Sequence, residues 1–414
     1  MRAELPVVIG DDALDHFLSY CREHGLTRFT IVEDDNTQRA LGERVERALS
    51  AQGADVLRVV LEGEDIIAGA ETVYKVLLAL DREERIFLAV GSGTITDVTR
   101  IVSDRTRSRF ISLPTAPSVD GFTATTSPLV IDGAKISVPA LGPLAVFADI
   151  GTLCKAPRPM IAAGFGDMIA KLTSSADWEL GHLLWDEPFD PAIAARGRAA
   201  AWSCTERVAE IAQAGKTGVK VLMEGLIESG FCMLDYGSSL PASGSEHHAS
   251  HWWELKLLRD GRRSVLHGAK VGLGVINACE RYDRLRSMSA EDAAALLGAQ
   301  RLPTRASQVK LIRRAYGSLA DYVLDVSAPF LDMSAREFSA LKARVLENWD
   351  GVQRIAATVP PADQVRSWLE TVGGPVTGAQ IGLGEEEVAL AVATAHYFRL
   401  RFTVGKLYWV LGLL

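Results

Sequence analysis

Three of the chain's eight histidines fall within five positions of one stretch, SGSEHHASHWWEL at 243–255. Ser243 and Glu246 form an S-x-x-E pair, which predicts a capping box and a helix starting near residue 244. On that helix His247 and His251 are four apart and share a face. His248 is turned away by about 100° at ~3.6 residues per turn. His267 opens a second predicted helix in VLHGAKVGLGVINA, 265–278. Neutral imidazoles from two facing helices suit a borderline-soft divalent metal. A third, anionic ligand is available in AAGFGDMIAK, where Asp167 follows Gly164 and Gly166 among Phe165, Met168 and Ile169. One carboxylate and two imidazoles leave coordination positions open, the pattern of a catalytic rather than a structural site. Plainer readings compete with this one. A histidine near an apolar face is more often a core residue, and Asp167 would also serve as a helix N-cap.

A second set of residues suits phosphate. RIFLAVGSGTITD at 85–97 reads as strand, glycine turn and helix start. Gly91 and Gly93 permit a sharp turn and close approach to a ligand. Thr94 and Thr96 offer hydroxyls beside the unpaired N–H groups of a helix start. The third glycine of G-x-G-x-x-G is missing, so a plain structural turn fits as well. SLPTAPSVDGFTATTS at 112–127 leaves another predicted strand and is dense in Thr, Ser and Asp. It is either a polyol-binding loop or an ordinary connection. Asp34, at the end of the second predicted strand, occupies a place where an acid often takes ribose hydroxyls, although acidic loops are commonly just solvated.

Positioning these groups requires a particular scaffold. Apolar runs at 5–10, 28–33, 55–61, 85–91, 109–115 and 144–150 alternate with helix-length segments. In 37–53, Leu41, Val45 and Leu49 lie on one helical stripe. Such alternation predicts a parallel sheet covered on both faces, with ligands beyond the C-terminal strand ends. PLVIDGAKISVP at 128–139 interrupts it with a hairpin signal at Asp132 and Gly133. From about 156 the chain reads as helices, at 159–185, 192–229, 244–258, 265–284, 289–299 and beyond. The fold class is therefore α/β: a Rossmann-like sheet domain at 1–155 and an all-helical domain at 156–414, with the active site in the cleft between them.

Composition narrows the setting. A net charge of −8 argues against general affinity for nucleic acid or anionic membranes. Five dispersed cysteines without a CxxC pair suggest reduced thiols and a cytoplasmic protein. MRAELPVVIGDD meets acidic residues too early for a signal-peptide core, and no apolar run approaches the ~20 residues of a membrane span.

Taken together, GSGTITD, SLPTAPSVDGF, GFGDMIAK, DWELG, SGSEHHASHWWE and LHGAKVGLG resemble the sn-glycerol-1-phosphate dehydrogenases, bacterial branch. These belong to the superfamily of iron-dependent alcohol dehydrogenases, glycerol dehydrogenases and dehydroquinate-synthase-like cyclases. The resemblance implies interconversion of dihydroxyacetone phosphate and sn-glycerol 1-phosphate, with NAD or NADP and one divalent metal, zinc or nickel. It places the metal on Asp167, His247 and His267 and the substrate beside Asp120, Asp167 and His251. It aligns Gly93, Thr94, Ile95, Thr96 and Asp97, and Thr115, Ala116, Pro117 and Ser118, with nicotinamide cofactor contacts. Lys171 stands where iron alcohol dehydrogenases carry a fourth ligand. Lys135 and Lys171 are the cations nominated for the substrate phosphate. The family tends to have a serine four residues after the loop aspartate, and here that position is Ala124, between Thr123 and Thr125. His248 is expected to be a bystander, and Trp252 and Trp253 to pack the helix. A homo-oligomer, dimer or larger, is expected. A polyol dehydrogenase acting on an unphosphorylated substrate and a dehydroquinate-synthase-like cyclase are the alternatives.

Overall fold

The apolar runs become strands in the computed structural model, which describes residues 5–414 except 64, 132 and 133, and at 134 and 135 only the backbone. The first five strands are β1 (Val7–Gly10), β2 (Arg28–Asp34), β3 (Asp55–Leu61), β4 (Ile86–Gly91) and β5 (Phe110–Pro114). An antiparallel pair follows, β6 (Thr126–Ile131) and β7 (Ala134–Pro139), then β8 (Val146–Asp149). The expected Asp132–Gly133 turn between β6 and β7 lies outside the described residues. The other six strands form one parallel sheet in the order β1-β8-β5-β4-β2-β3.

Alternation along each strand feeds two cores, so the strands read as unbroken apolar runs. On β4, Leu88 and Val90 face a core with Phe17 of helix α1 (Ala13–Glu23) and Val45 and Leu49 of α2 (Glu43–Ala51). Phe87 and Ala89 face the opposite core, with Val76 of α3 (Ala70–Ala79) and Val98 and Val102 of α4 (Gly93–Arg105). The predicted stripe Leu41, Val45, Leu49 is buried throughout. However, Leu41 sits in a π-helical turn, Gln38–Gly42, that precedes α2. A Cβ on Gly42 would lie 1.6 Å from Glu33 Oε2, so packing against β2 sets this irregular start.

β2 connects outward to β3, whereas β4 connects the other way to β5. Their loops diverge and leave a crevice at the C-terminal ends of β2 and β4. The two candidate cofactor loops and Asp34 all border that end of the sheet.

The helical remainder is built around α5 (Arg158–Trp185). Nearly every residue from Ile161 to Leu184 is buried, the mark of a central helix apolar on all sides. The single helix expected over 192–229 is instead three: α6 (Pro191–Thr205), α7 (Val208–Ala212) and α8 (Lys216–Tyr236). Ala214 takes a left-handed φ of 50° between the last two. Gly218 of α8 lies directly on the α7 backbone, where a Cβ would be 2.5 Å from Ile211 N. The break is thus a fold-back onto a neighbour, which periodicity does not record. Next come α9 (Ser245–Arg259) and α10 (His267–Ser287), followed by further helices through Leu411. No described helix is long and apolar enough to cross a membrane.

Candidate functional site

The phosphate loop has the expected strand–turn–helix form, with a different reason for its glycines. Neither Gly91 nor Gly93 has a positive φ. A Cβ on Gly91 would lie 2.4 Å from Ile95 Cβ, and one on Gly93 would lie 2.9 Å from Val119 Cγ2. Close approach, not backbone freedom, requires them. Ser92 caps α4, accepting from Gly93 N–H, and its Oγ lies 2.6 Å from Ser118 Oγ. Thr115 N–H donates to Gly91 O at 3.2 Å. The structure therefore brings Gly91, Gly93 and Thr94 beside Thr115, Ala116, Pro117 and Ser118.

Four nominated cofactor residues have side chains otherwise engaged. The side chains of Ile95 and Thr96 point into the protein, which leaves only backbone for a ligand. Asp97 pairs at 2.7 Å with Arg100, whose buried guanidinium also donates to the carbonyls of Gly121 and Thr126. Asp34 caps the turn that follows β2, its Oδ1 accepting from Asn36 and Thr37 N–H. Of the threonines flanking Ala124, Thr123 is buried against Gly230, while Thr125 is exposed.

The metal candidates converge from three helices. One ligand atom each from Asp167, His247 and His267 lies within 4.8 Å of the others. A tetrahedral edge for ~2.1 Å bonds is about 3.4 Å, so small side-chain rotations would close the set. Asp167 is in the third turn of α5 and caps nothing. His267 is the first residue of α10, and His247 lies in the first turn of α9. Glycines permit the approach: a Cβ on Gly268 would lie 1.8 Å from Ala163 O, and one on Gly166 would lie 2.3 Å from Gly268 O.

The capping box does not form as expected. Gly244, not Ser243, is the N-cap, because a Cβ there would meet Asp177 and Ser174 of α5. Glu246 still reaches back, accepting from Gly244 N–H at 2.6 Å. The same Oε1 lies 2.8 Å from His247 Nδ1, which aims Nε2 at Asp167 Oδ1, 3.7 Å away. Burial pushes Glu246 up, but His247 and the Gly244 amide hold it below the usual carboxylate range. Burial lowers His247, yet Asp167 and Glu246 raise it above an ordinary imidazole. A position that favours a proton between two carboxylates suits a divalent cation, and so the residues fit a metal. A carboxylate behind a ligating imidazole fixes its tautomer. Glu246→Gln should weaken metal affinity by about 10–100-fold, read by calorimetric titration, since such partners carry effects of that size.

His251 completes the cluster. Its ring centroid lies 6.2 Å from that of His247 and 5.8 Å from that of His267, and its Nδ1 is 3.5 Å from Glu254 Oε2. His248 faces a small buried cavity with His396 and Thr403, away from the triad. Trp252 and Trp253 are buried packing residues. Asp120 joins the cluster from the sheet side, and its N–H donates to Asp167 Oδ2 at 3.1 Å.

Of the two nominated phosphate cations, Lys171 is engaged within the protein. Lys171 is fully buried and donates to Asp167 O at 2.9 Å and Oδ1 at 3.0 Å, and it pairs with Asp120 Oδ2 at 2.8 Å. Burial opposes its charge, but the two aspartates hold its pKa above that of an ordinary lysine. The Lys135 side chain lies outside the described residues. Sequence reasoning did not single out Glu246 as the partner of His247, or Ser229, whose Oγ donates to Asp120 Oδ2 at 2.7 Å. The S-x-x-E motif marked Glu246, but as a cap.

The model of the iron-containing alcohol dehydrogenase family matches residues 8–157. A glycerol-1-phosphate dehydrogenase of Geobacillus stearothermophilus, NAD(P)-dependent by name, is 36% identical over 406 residues, covering 96% of this chain and 90% of that protein. The enzyme of the same name from Bacillus subtilis is 34% identical over 400 residues, covering 96% and 89%. Among solved structures, sulfoacetaldehyde reductase of Bifidobacterium kashiwanohense superimposes with a TM-score of 0.62 at 14% identity, covering 98% of this chain and 96% of that one. Glycerol dehydrogenase of Schizosaccharomyces pombe does so at 0.57 and 16%, covering 89% and 91%. At such identities these two likenesses establish the fold alone.

Proposed function

The chain belongs to the glycerol-1-phosphate dehydrogenases, as relatives 36% and 34% identical across nearly its whole length establish, and on that premise we propose that it interconverts dihydroxyacetone phosphate and sn-glycerol 1-phosphate with NAD(P). One observation carries the reading: the Asp120 N–H, just past the Thr115-to-Ser118 run, is bonded to Asp167 of the metal cluster. Nicotinamide on that run and an ion on Asp167, His247 and His267 would flank one small substrate. Residues 1–155 and 156–414 serve as the two domains whose facing sides form the site.

A bound divalent ion supplies Lewis acidity to the oxygen at the substrate's C2. The residues of the chain do the rest. Asp167 contributes negative charge to the ion's site, and Glu246 keeps His247 oriented. The Gly91-to-Thr94 turn meets the cofactor pyrophosphate with first-turn amides. Thr115, Ala116, Pro117 and Ser118 would hold the nicotinamide, which would supply or accept the hydride at the substrate's C2. Asp120 hydrogen-bonds a substrate hydroxyl. His251, one turn beyond His247 and backed by Glu254, gives or takes the proton at the C2 oxygen.

Zinc and nickel both suit one carboxylate and two imidazoles. All five cysteines are free thiols, which suits a reducing, cytoplasmic setting. The homo-oligomer implied by the resemblance remains a proposal, open to mass measurement in solution.

The test supplies NADH or NADPH with dihydroxyacetone phosphate or dihydroxyacetone, to enzyme reloaded with each metal. NAD(P)H should be oxidised with the phosphate ester and far more slowly without it, and the product should be the sn-1 enantiomer. Equal rates on the two ketones would make the enzyme a polyol dehydrogenase. Net oxidation of NAD(P)H would exclude a cyclase, which uses NAD only transiently.

A further inference from the structure

We propose that Lys171 is a positioning residue that ties the substrate-side loop to the metal-side helix, using its ammonium to hold Asp120 against Asp167. The inference rests on the reading above, in which Asp167 serves the metal and Asp120 the substrate. An ammonium has three donors, and here all three are engaged: Asp167 O, Asp167 Oδ1 and Asp120 Oδ2, at 2.9, 3.0 and 2.8 Å. Lys171 is completely buried, so it has no other role open on the surface. The Asp120 N–H closes the circuit on Asp167 Oδ2, and Ser229 Oγ supports Asp120 Oδ2 from α8. Residues 120, 167 and 171 thus form one ring across both halves of the fold, with Ser229 attached at Asp120 Oδ2.

The ring has two consequences. First, two carboxylates that would otherwise repel are held side by side, and Asp120 is left with Oδ1 for the substrate. Second, Lys171 shares Asp167 Oδ1 with the metal position, where His247 Nε2 also points. Removing Lys171 should therefore free Asp120 to swing away while leaving Asp167 at least as good a metal donor. A scaffold residue would instead lose both functions together. Arginine should not rescue, because a planar fork cannot reproduce three converging donors in the space of one ammonium.

The experiment measures KM for dihydroxyacetone phosphate, and Zn²⁺ affinity of the chelator-stripped protein, in wild type, Lys171→Met, Lys171→Arg and Ser229→Ala. In Lys171→Met, KM should rise by roughly tenfold or more, as loss of a charge-assisted bond implies. Zn²⁺ affinity should be unchanged or tighter. Ser229→Ala should raise KM by about threefold, the loss of one ordinary hydrogen bond, without touching Zn²⁺ affinity. An unaltered KM in Lys171→Met, or a Zn²⁺ affinity that falls with it, overturns the proposal, as does rescue by arginine. If Lys171→Met fails to fold, Ser229→Ala decides, since the buried ion pair stays intact there. A wild type that neither binds Zn²⁺ nor reduces the ketone defeats the functional reading itself; variants that match an active wild type defeat only the role of Lys171.

Discussion

His267→Ala should leave a folded protein that no longer holds its metal or turns over. His267 is the first residue of α10, with Leu266 at the N-cap, so alanine there removes no helix-interior contact. The ligand set would drop from three to two, with Asp167 and His247 alone. A Lewis acid is worth several kcal/mol at the transition state. Losing about 4 kcal/mol of that is roughly a thousandfold in rate. Calorimetric titration with Zn²⁺ or Ni²⁺ and NAD(P)H-coupled turnover should fail together, while circular dichroism stays that of wild type. His247→Ala should show the same loss with added instability, because Glu246 would keep a buried carboxylate without its imidazole. Full activity of His267→Ala after exhaustive chelation would remove the metal from the mechanism.

Gly268→Ala should damage stability and the site at once. A Cβ at 268 would lie 1.8 Å from Ala163 O and 2.6 Å from its carbonyl carbon. Both are backbone atoms in the second turn of α5 and cannot rotate aside, so α10 must move away by more than an ångström. Overpacking of a rigid contact costs about 1–3 kcal/mol, occasionally more. His267, the preceding residue, would move with the helix, away from Asp167. The expected result is an earlier denaturation midpoint together with weaker Zn²⁺ binding. Gly298→Ala is the control, because nothing lies within 4 Å of a Cβ there and its helix should gain up to about 1 kcal/mol. If Gly268→Ala matches that control in stability and metal affinity, the close helix contact does not set the site.

These two substitutions differ in how far the sequence anticipates them. His267 is legible as a candidate ligand because imidazole suits a divalent metal and because it stands at a helix start. The six sheet strands are legible for a similar reason, since a run such as RIFLAVG carries its own periodicity and its own glycine stop. Gly268 carries no such signal. Its partner is Ala163, and the two meet only because α5 and α10 cross. The capping-box motif misleads for the same reason: Ser243 has the right spacing, but helix α5 comes so close that only glycine fits at 244. Ala214 and the fold-back of α7 onto α8 are likewise invisible to an apolar stripe that runs straight through 192–229.

By itself, the sequence determined the six sheet strands, the order in which strands and helices alternate, the three candidate ligands and the family to which the motifs belong. These are properties of neighbours a few residues apart, where backbone periodicity and side-chain chemistry act directly. The tertiary structure alone decided what Lys171 does, a charged side chain that a local reading places on a ligand, and it brought Thr173 to Glu246, which that reading places at a cap. Folding brought Lys171 to Asp120, 51 positions away in the chain and 2.8 Å away in space. A buried charge must find its counter-charge wherever packing puts one, and packing is a property of the whole chain.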